Sequence, residues 1–239
     1  GKAFASALDK PFIAVNHLEG HALSPKLNSK LNYPYLLLLI SGGHSQFLNV
    51  QGLGKYKRLG TTIDDALGEA FDKSGKLLGL GYPAGPEIDK RAKLGDPKAY
   101  KFTKPKVKGL NFSFSGLKTA ILYFIRDQSK NNPEFIAQNL NAICASIQYT
   151  IVGILMDKLK LAVQETGIKS IAIGGGVSAN SGIRTALKNT EQKYGWKTYI
   201  PAFEFTTDNA AMIGIVGYLK YLKNDFAPQN TMATARLKL

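Results

Sequence analysis

Tyr35-Leu36-Leu37-Leu38-Leu39-Ile40-Ser41-Gly42-Gly43-His44-Ser45-Gln46-Phe47-Leu48-Asn49-Val50 decides the fold class of this chain. Six apolar residues form a continuous strand, a short polar turn carries two adjacent glycines, and a second strand follows over 46–50. Strand, tight glycine turn and strand predict a hairpin. With no side chains at 42 and 43, backbone N–H groups there can point at a bound oxyanion. A second strand-to-glycine element lies about 130 residues on. Residues 169–173 predict a buried strand, followed by Gly174-Gly175-Gly176-Val177-Ser178-Ala179-Asn180 and a helix over 181–194. Strand, glycine turn and helix N-terminus form a ready anion and nucleotide site, although close helix–strand packing also demands glycine.

Chemistry-bearing residues flank the two elements. Before the first stands Val15-Asn16-His17-Leu18-Glu19-Gly20-His21. On a helix capped by Asn16, His17 and His21 share one face, one turn apart. Two such imidazoles and a carboxylate from elsewhere can hold a metal ion with open positions for a substrate oxygen. A solvated or core pair is the plainer reading of the spacing. Leu18, where a zinc protease needs its glutamate, argues against that class. After the second element, Thr206-Thr207-Asp208-Asn209 precedes a helix that runs through 222. Asp208 there has an ordinary explanation as an N-cap.

The remaining segments read as scaffold. Residues 12–15 form a short β run, and Pro25 ends or kinks the histidine helix. A helix over 63–80 buries Ile63, Leu67, Ala70, Phe71, Leu77 and Leu78. Its other face carries Asp65, Glu69 and Asp72, with Lys73 and Lys76 in i,i+4 register to Glu69 and Asp72, which spacing alone reads as a salt-bridged solvent face. The glycine- and proline-rich run 81–86 stops it, and a short helix over 87–94 carries Asp89. Residues 109–116 alternate like a strand; 117–128 and 133–165 read as helices, and 197–200 as a strand.

Composition narrows the class. The chain has 239 residues, 44% of them hydrophobic, enough for one large domain or two small ones. The longest apolar run, 35–40, is far too short to span a bilayer. The single cysteine, Cys144, excludes an intrachain disulfide, fits a reducing cytoplasm and predicts a buried, inert thiol. Thirty-one basic against seventeen acidic residues give a net charge of +14, which favours a polyanionic partner. The excess is mostly lysine, since arginine stands only at 58, 91, 126, 184 and 236. Lys98, Lys101, Lys104, Lys106 and Lys108, interleaved with Tyr100 and Phe102, read either as a solvated loop or as a nucleic-acid phosphate track.

The order of these elements resembles the α/β, actin-like (ribonuclease H-like) two-lobed ATPase superfold, in which a nucleotide lies between lobes. Six blocks resemble one family within it: His17-Leu18-Glu19-Gly20-His21; Ser41-Gly42-Gly43-His44; 64–73, reading DDALGEAFDK; 111–118, reading NFSFSGLK; 175–180, reading GGVSAN; and 207–212, reading TDNAAM. In this order they resemble the tRNA N6-adenosine threonylcarbamoyltransferase (TsaD) family. The resemblance implies His17, His21 and Asp208 as ligands of one divalent ion, Fe(II) or Zn(II). It implies Leu39, Ile40, Ser41, Gly42 and Gly43 as the substrate-phosphate hairpin, and Asp72, Gly85, Asp89 and Asn180 as adenylate contacts. These assignments displace the salt-bridge reading of Asp72 and the cap reading of Asp208.

The implied reaction moves a threonylcarbamoyl group from threonylcarbamoyl-adenylate to N6 of the adenosine 3′ of the anticodon in tRNA. A bound divalent ion suits it as a Lewis acid. Glu19 and His44 are candidates for proton transfer by location. The expected partners are tRNA and subunits of the threonylcarbamoyl-adenosine machinery, with no membrane, in the cytoplasm. The family's additional N-terminal segment, of roughly a hundred residues, is absent here. The expectation is therefore an incomplete first lobe, with residues 1–37 as its remnant carrying the metal helix, 38–205 as the second lobe and 206–239 returning towards the first. Exposed edges and apolar surface, poor activity and self-association of the chain alone are expected with it. Ala84 stands where the family more often has glycine. Rival readings are an ATP-dependent small-molecule kinase or ATPase of the same superfold, a metalloprotease, and a non-catalytic partner subunit.

Overall fold

A computed structural model describes residues 1–234, 237 and 239; Arg236, in the expected 206–239 segment, lies outside the described residues. The hairpin expected at 35–50 is the centre of a five-stranded sheet. β1 (Tyr35–Ile40) pairs antiparallel with β2 (Ser45–Gly52), matching Leu38 to Phe47 and Ile40 to Ser45. On its other side β1 runs parallel to β4 (Ser170–Gly174), matching Leu38 to Ile173. β3 (Lys55–Thr61) and β5 (Lys197–Tyr199) are the edges, giving the order β3-β2-β1-β4-β5. β1 is apolar throughout because it lies centrally with both faces covered. Leu36, Leu38 and Ile40 point into one core, while Tyr35, Leu37 and Leu39 point into another.

Five helices pack on the first face: α3 (Leu67–Leu77), α4 (Gly85–Ala92), α5 (Ser115–Asn131), α6 (Phe135–Thr166) and α7 (Ser181–Tyr194). α6 is the one helix among the described residues long and apolar enough to cross a membrane. Its Ile143, Ile147, Ile151 and Leu155 have no exposed surface, so its apolar composition serves the core. Cys144 beside them is buried as expected, and burial pushes its thiol up to about 11. The second face carries α2 (His17–Leu23) and α8 (Ala210–Tyr221), which pack on each other. Leu18, Ala22 and Leu31 share one core with Leu37, Leu48, Val50 and Ala172, so the segment before residue 37 is built into the same sheet as the rest. A short helix, α1 (Lys2–Ala7), buries nothing.

Several expectations need correction. No strand forms over 12–15; Phe12 makes a single bridge to Ala227. Residues 109–116 are not a strand either, because Phe112 alone bridges Thr62. That bridge delays α3, which begins at Leu67 rather than 63 and leaves Ile63 61% exposed. Asp64 is spent on the same junction. It accepts from the Phe114 N–H at 2.8 Å, the Ser115 N–H at 3.4 Å, and the hydroxyls of Ser113 and Ser115 at 2.6 and 2.7 Å. Burial alone would raise its pKa, but these bonds outweigh that, and the carboxyl titrates below the ordinary range. On α3, Lys73 pairs with Glu69 and Asp65, while Asp72 turns away to other partners. β3, with three basic residues at 55, 57 and 58, carries no strand signal in its sequence.

Two close approaches hold the second face together. Gly174 ends β4 against the backbone of α2, where an added Cβ would overlap the His21 carbonyl oxygen. Gly20 lets α2 settle on α8, since a Cβ there would lie 3.1 Å from Met212 Cγ. The expected outcome for Gly174→Ala is a loss of about 2–3 kcal/mol in urea unfolding, from overpacking against backbone. Gly214→Ala, on α8 with open space around it, is expected to be neutral or to gain up to about 1 kcal/mol. Asp64→Asn should cost about 1–2 kcal/mol at pH 7. In the parent, this contribution is complete above about pH 4 and fades as pH falls through the lowered folded pKa, so a pH series of unfolding midpoints should be flatter on the acid side in the variant.

Candidate metal centre and adjoining cleft

Asn16 sets where α2 begins, its Oδ1 accepting from the N–H groups of Leu18 at 2.8 Å and Glu19 at 3.3 Å. His17 is therefore the first helical residue, and His21 follows one turn later. At the other end of the chain, the cap of α8 is Asn209, whose Oδ1 accepts from the Met212 N–H at 2.9 Å. Asp208 is not the cap, and its carboxylate turns to the histidines instead. Asp208 Oδ1 lies 3.0 Å from His21 Nε2 and 3.4 Å from His17 Nε2. The two rings stand edge to face with centroids 4.8 Å apart.

The three donor atoms all lie within 4.8 Å of one another. Bonds of about 2.1 Å at tetrahedral angles place two ligands ~3.4 Å apart, so the arrangement fits one small divalent ion. Burial, and then the neighbouring His17, push the His21 pKa below its ordinary value; Asp208 opposes them. A neutral imidazole is the ligating form. His17 and Asp208 are exposed, which leaves the outer side of the set open to a substrate.

His44 lies within electrostatic reach of His21, where it adds to the lowering of that pKa. It closes the glycine turn: its N–H donates to Ser41 Oγ at 3.1 Å and its carbonyl accepts from the Ser41 N–H at 2.8 Å. Gly42 and Gly43 project from this turn into open space. Leu39 and Ile40 do not project; both are fully buried within β1, one in each core. Glu19 is on the opposite side of α2 from the histidines. It is 3% exposed, accepts from the Tyr56 hydroxyl at 2.7 Å and lies 4.0 Å from Lys220. That is the environment of a carboxylate tying α2 to β3 and α8, away from the reacting side.

A cleft of about 420 Å³ opens beside the centre. Gly42, Asp72, Gly85, Asp89, Asn180 and Thr207 line it, and Thr207 adjoins Asp208. Five of the nine residues expected to contact substrate thus meet in one space. Three of them also hold its walls. Asp72 Oδ1 accepts from the Ala84 N–H at 2.8 Å and the Gly85 N–H at 3.4 Å. Asp89 accepts from the N–H and hydroxyl of Ser181. Asn180 caps α7 through Ile183 and donates to Gln148 at 2.7 Å. The glycine elements abut here: Gly175 adopts a φ of +88°, and a Cβ on it would overlap the Ile40 carbonyl. Gly68 packs on Gly42, and its N–H donates to the Ser41 carbonyl at 3.2 Å. Gly68, Phe71, Tyr82 and Val177 also line the cleft and are not among the expected contacts, although Gly68, Phe71 and Val177 fall within two of the six resembling blocks.

A family model described as tRNA N6-adenosine threonylcarbamoyltransferase matches residues 1–215. A protein of that name from Christiangramia forsetii is 60% identical over 241 residues, spanning 99% of this chain and 71% of its own length. One from Riemerella anatipestifer is 50% identical over 242 residues, spanning 100% and 71%. Among solved structures, the crystal structure of full-length HypF in the phosphate- and nucleotide-bound form superposes with a TM-score of 0.68 at 15% identity, covering 92% of this chain and 37% of that one. The crystal structure of HypF from T.kodakarensis gives 0.68 at 16% identity, covering 93% and 38%. At such identity the likeness is one of fold, the actin-like α/β arrangement. Sequence and fold together place this chain in the tRNA N6-adenosine threonylcarbamoyltransferase family, a family of tRNA-modifying transferases.

Proposed function

We propose that this chain carries the catalytic lobe of a transferase that moves a threonylcarbamoyl group from threonylcarbamoyl-adenylate to N6 of the adenosine 3′ of the anticodon in tRNA. The observation that carries the reading is the meeting of His17, His21 and Asp208 at the mouth of a nucleotide-sized cleft. A divalent ion held there, Fe(II) or Zn(II), would supply Lewis-acid polarisation of an acyl or phosphoryl oxygen. The chain's own residues do the rest. Backbone N–H groups of Gly42 and Gly43, in the exposed turn, stabilise charge on the departing adenylate phosphate. Asp72, Asp89 and Asn180 fix the walls against which adenosine and ribose sit. Of the two proton-transfer candidates, His44 stays open to the role, because Glu19 is engaged by Tyr56 and lies near Lys220.

In this reading, residues 1–37 bring the metal helix, 38–205 the nucleotide cleft, and 206–239 the third ligand. The remaining length of the relatives supplies the other wall of the cleft, and partner subunits of the threonylcarbamoyl-adenosine machinery supply the adenylate, in the cytoplasm where tRNA resides. A kinase or ATPase would use the cleft but leave the histidine pair without a task. A metalloprotease would need a general base beside the ion, where Glu19 does not stand.

His17→Ala, His21→Ala and Asp208→Ala should each weaken metal affinity at least ~100-fold, well beyond the effect of losing an outer-shell partner, seen as loss of bound metal by elemental analysis while circular dichroism stays folded. Asp89→Asn should leave bound metal unchanged and weaken binding of a non-hydrolysable adenylate about 10-fold, the scale of one charge-assisted hydrogen bond. Full metal content in all three ligand variants would end the proposal.

A further inference from the structure

Half of the chain's formal net charge of +14 lies in one stretch. Between residues 97 and 126 there are seven basic residues and no acidic one: Lys98, Lys101, Lys104, Lys106, Lys108, Lys118 and Arg126. The structure separates the aromatic and basic residues of this stretch into two roles. Phe102 is 7% exposed, and it and Tyr100 pack on Phe124 of α5. These rings are anchors, not platforms for stacking nucleobases. They pin residues 100–109 as an irregular strap along α6, tethered by the Tyr100 N–H to Ser146 Oγ at 3.1 Å and by Lys158 Nζ to the Val107 carbonyl at 2.6 Å. Pinning the rings inward turns the lysines outward, and all five on 98–108 are exposed. Lys104 pairs with Asp157 and Arg126 with Asp127. The other five cations have no ion pair within 4 Å among the described residues.

The strap is continuous with the rim of the cleft. Pro105 packs beside Gly116 at the start of α5. The adjoining Ser115 is bound to Asp64, and Lys118 lies within electrostatic reach of Glu69 on α3. α3 begins at Leu67, and its next residue, Gly68, packs on Gly42 of the phosphate turn. The strap thus adjoins the start of α5, and Lys118 on α5 lies near the start of α3, which packs on the glycine turn. Lysines on an irregular backbone, without arginine forks among them, attract phosphates rather than read bases.

We infer that the strap 98–108 together with the exposed side of α5 is the docking surface for the phosphate backbone of tRNA, guiding the target nucleotide towards the cleft. The inference rests on the proposed function for the identity of the polyanion. It is tested by filter binding of the chain to unmodified tRNA across a salt series. Combined Lys101→Gln, Lys106→Gln, Lys108→Gln and Lys118→Gln should weaken binding at least ~10-fold at 100 mM salt. The same variant should make the slope of log K against log salt shallower by about 3, because each phosphate neutralised by a lysine contributes roughly 0.7–0.9 to that slope. Combined Lys169→Gln, Lys188→Gln, Lys193→Gln and Lys197→Gln removes the same charge from the α6–β4 and α7–β5 ends and should change the slope by less than about 1. Equal effects of the two sets would overturn the inference, as would a parent chain that binds no tRNA at 50 mM salt. So would strap variants that lose anionic-vesicle binding while keeping tRNA. Metal content in the ligand variants is independent of this result, so the surface and the catalytic reading fail separately.

Discussion

Everything at the centre depends on how closely the end of β4 approaches the backbone of α2. α2 carries two metal-ligating candidates but has only seven residues, too few to hold a position by its own hydrogen bonds. Its place comes from packing: Gly174 admits the His21 carbonyl to the sheet, and Gly20 admits α8 from the other side. Glu19 adds polar ties to Tyr56 and Lys220. Once α2 is fixed between sheet and α8, the α8 cap falls on Asn209 and the residue before it faces the imidazoles. The meeting of His17 with Asp208, far apart in the chain, is thus set by packing on one sheet face.

The same principle builds the cleft. Gly175 sits under the Ile40 carbonyl, and Gly68 sits against Gly42. The two glycine turns and the start of α3 therefore converge on one space, with backbone rather than side chains at the surface. Such a surface suits phosphate, which is bound well by N–H groups and excluded by bulk. The carboxylates around it, Asp72 and Asp89, are oriented by hydrogen bonds from Ala84, Gly85 and Ser181. Ala84 contributes an N–H here, which an alanine supplies as well as a glycine.

Some parts of the structure are legible in the sequence and others are hidden for identifiable reasons. α7 spans the expected 181–194 to the residue, because Asn180 caps it and Gly195 ends it at positive φ. The strand expected at 109–116 reduces to one bridge: its alternating apolar residues, Leu110, Phe112 and Phe114, anchor an irregular segment in the core. β3 is hidden because an edge strand rich in lysine and arginine shows no apolar alternation. Tyr100 and Phe102, interleaved with lysines in a stretch that reads either as a solvated loop or as a phosphate track, are inward-facing anchors for that stretch. Leu39 and Ile40 fall within the expected phosphate hairpin, but a central strand commits their side chains to the two cores.

By itself the sequence determined which chemistry was available: a histidine pair in helical register, two glycine turns after apolar strands, and an excess of positive charge concentrated in one stretch. These are local properties, written in spacing and composition. It could not determine whether Asp208 caps α8 or turns to the histidines, nor whether Glu19 stands free or is engaged by Tyr56, because each choice turns on which neighbour occupies the same space. Only the tertiary structure decided these. It did so through side-chain-free contacts at 174 and 175 that bring distant backbone segments closer than any other residue type allows, and through a tight fit at 20.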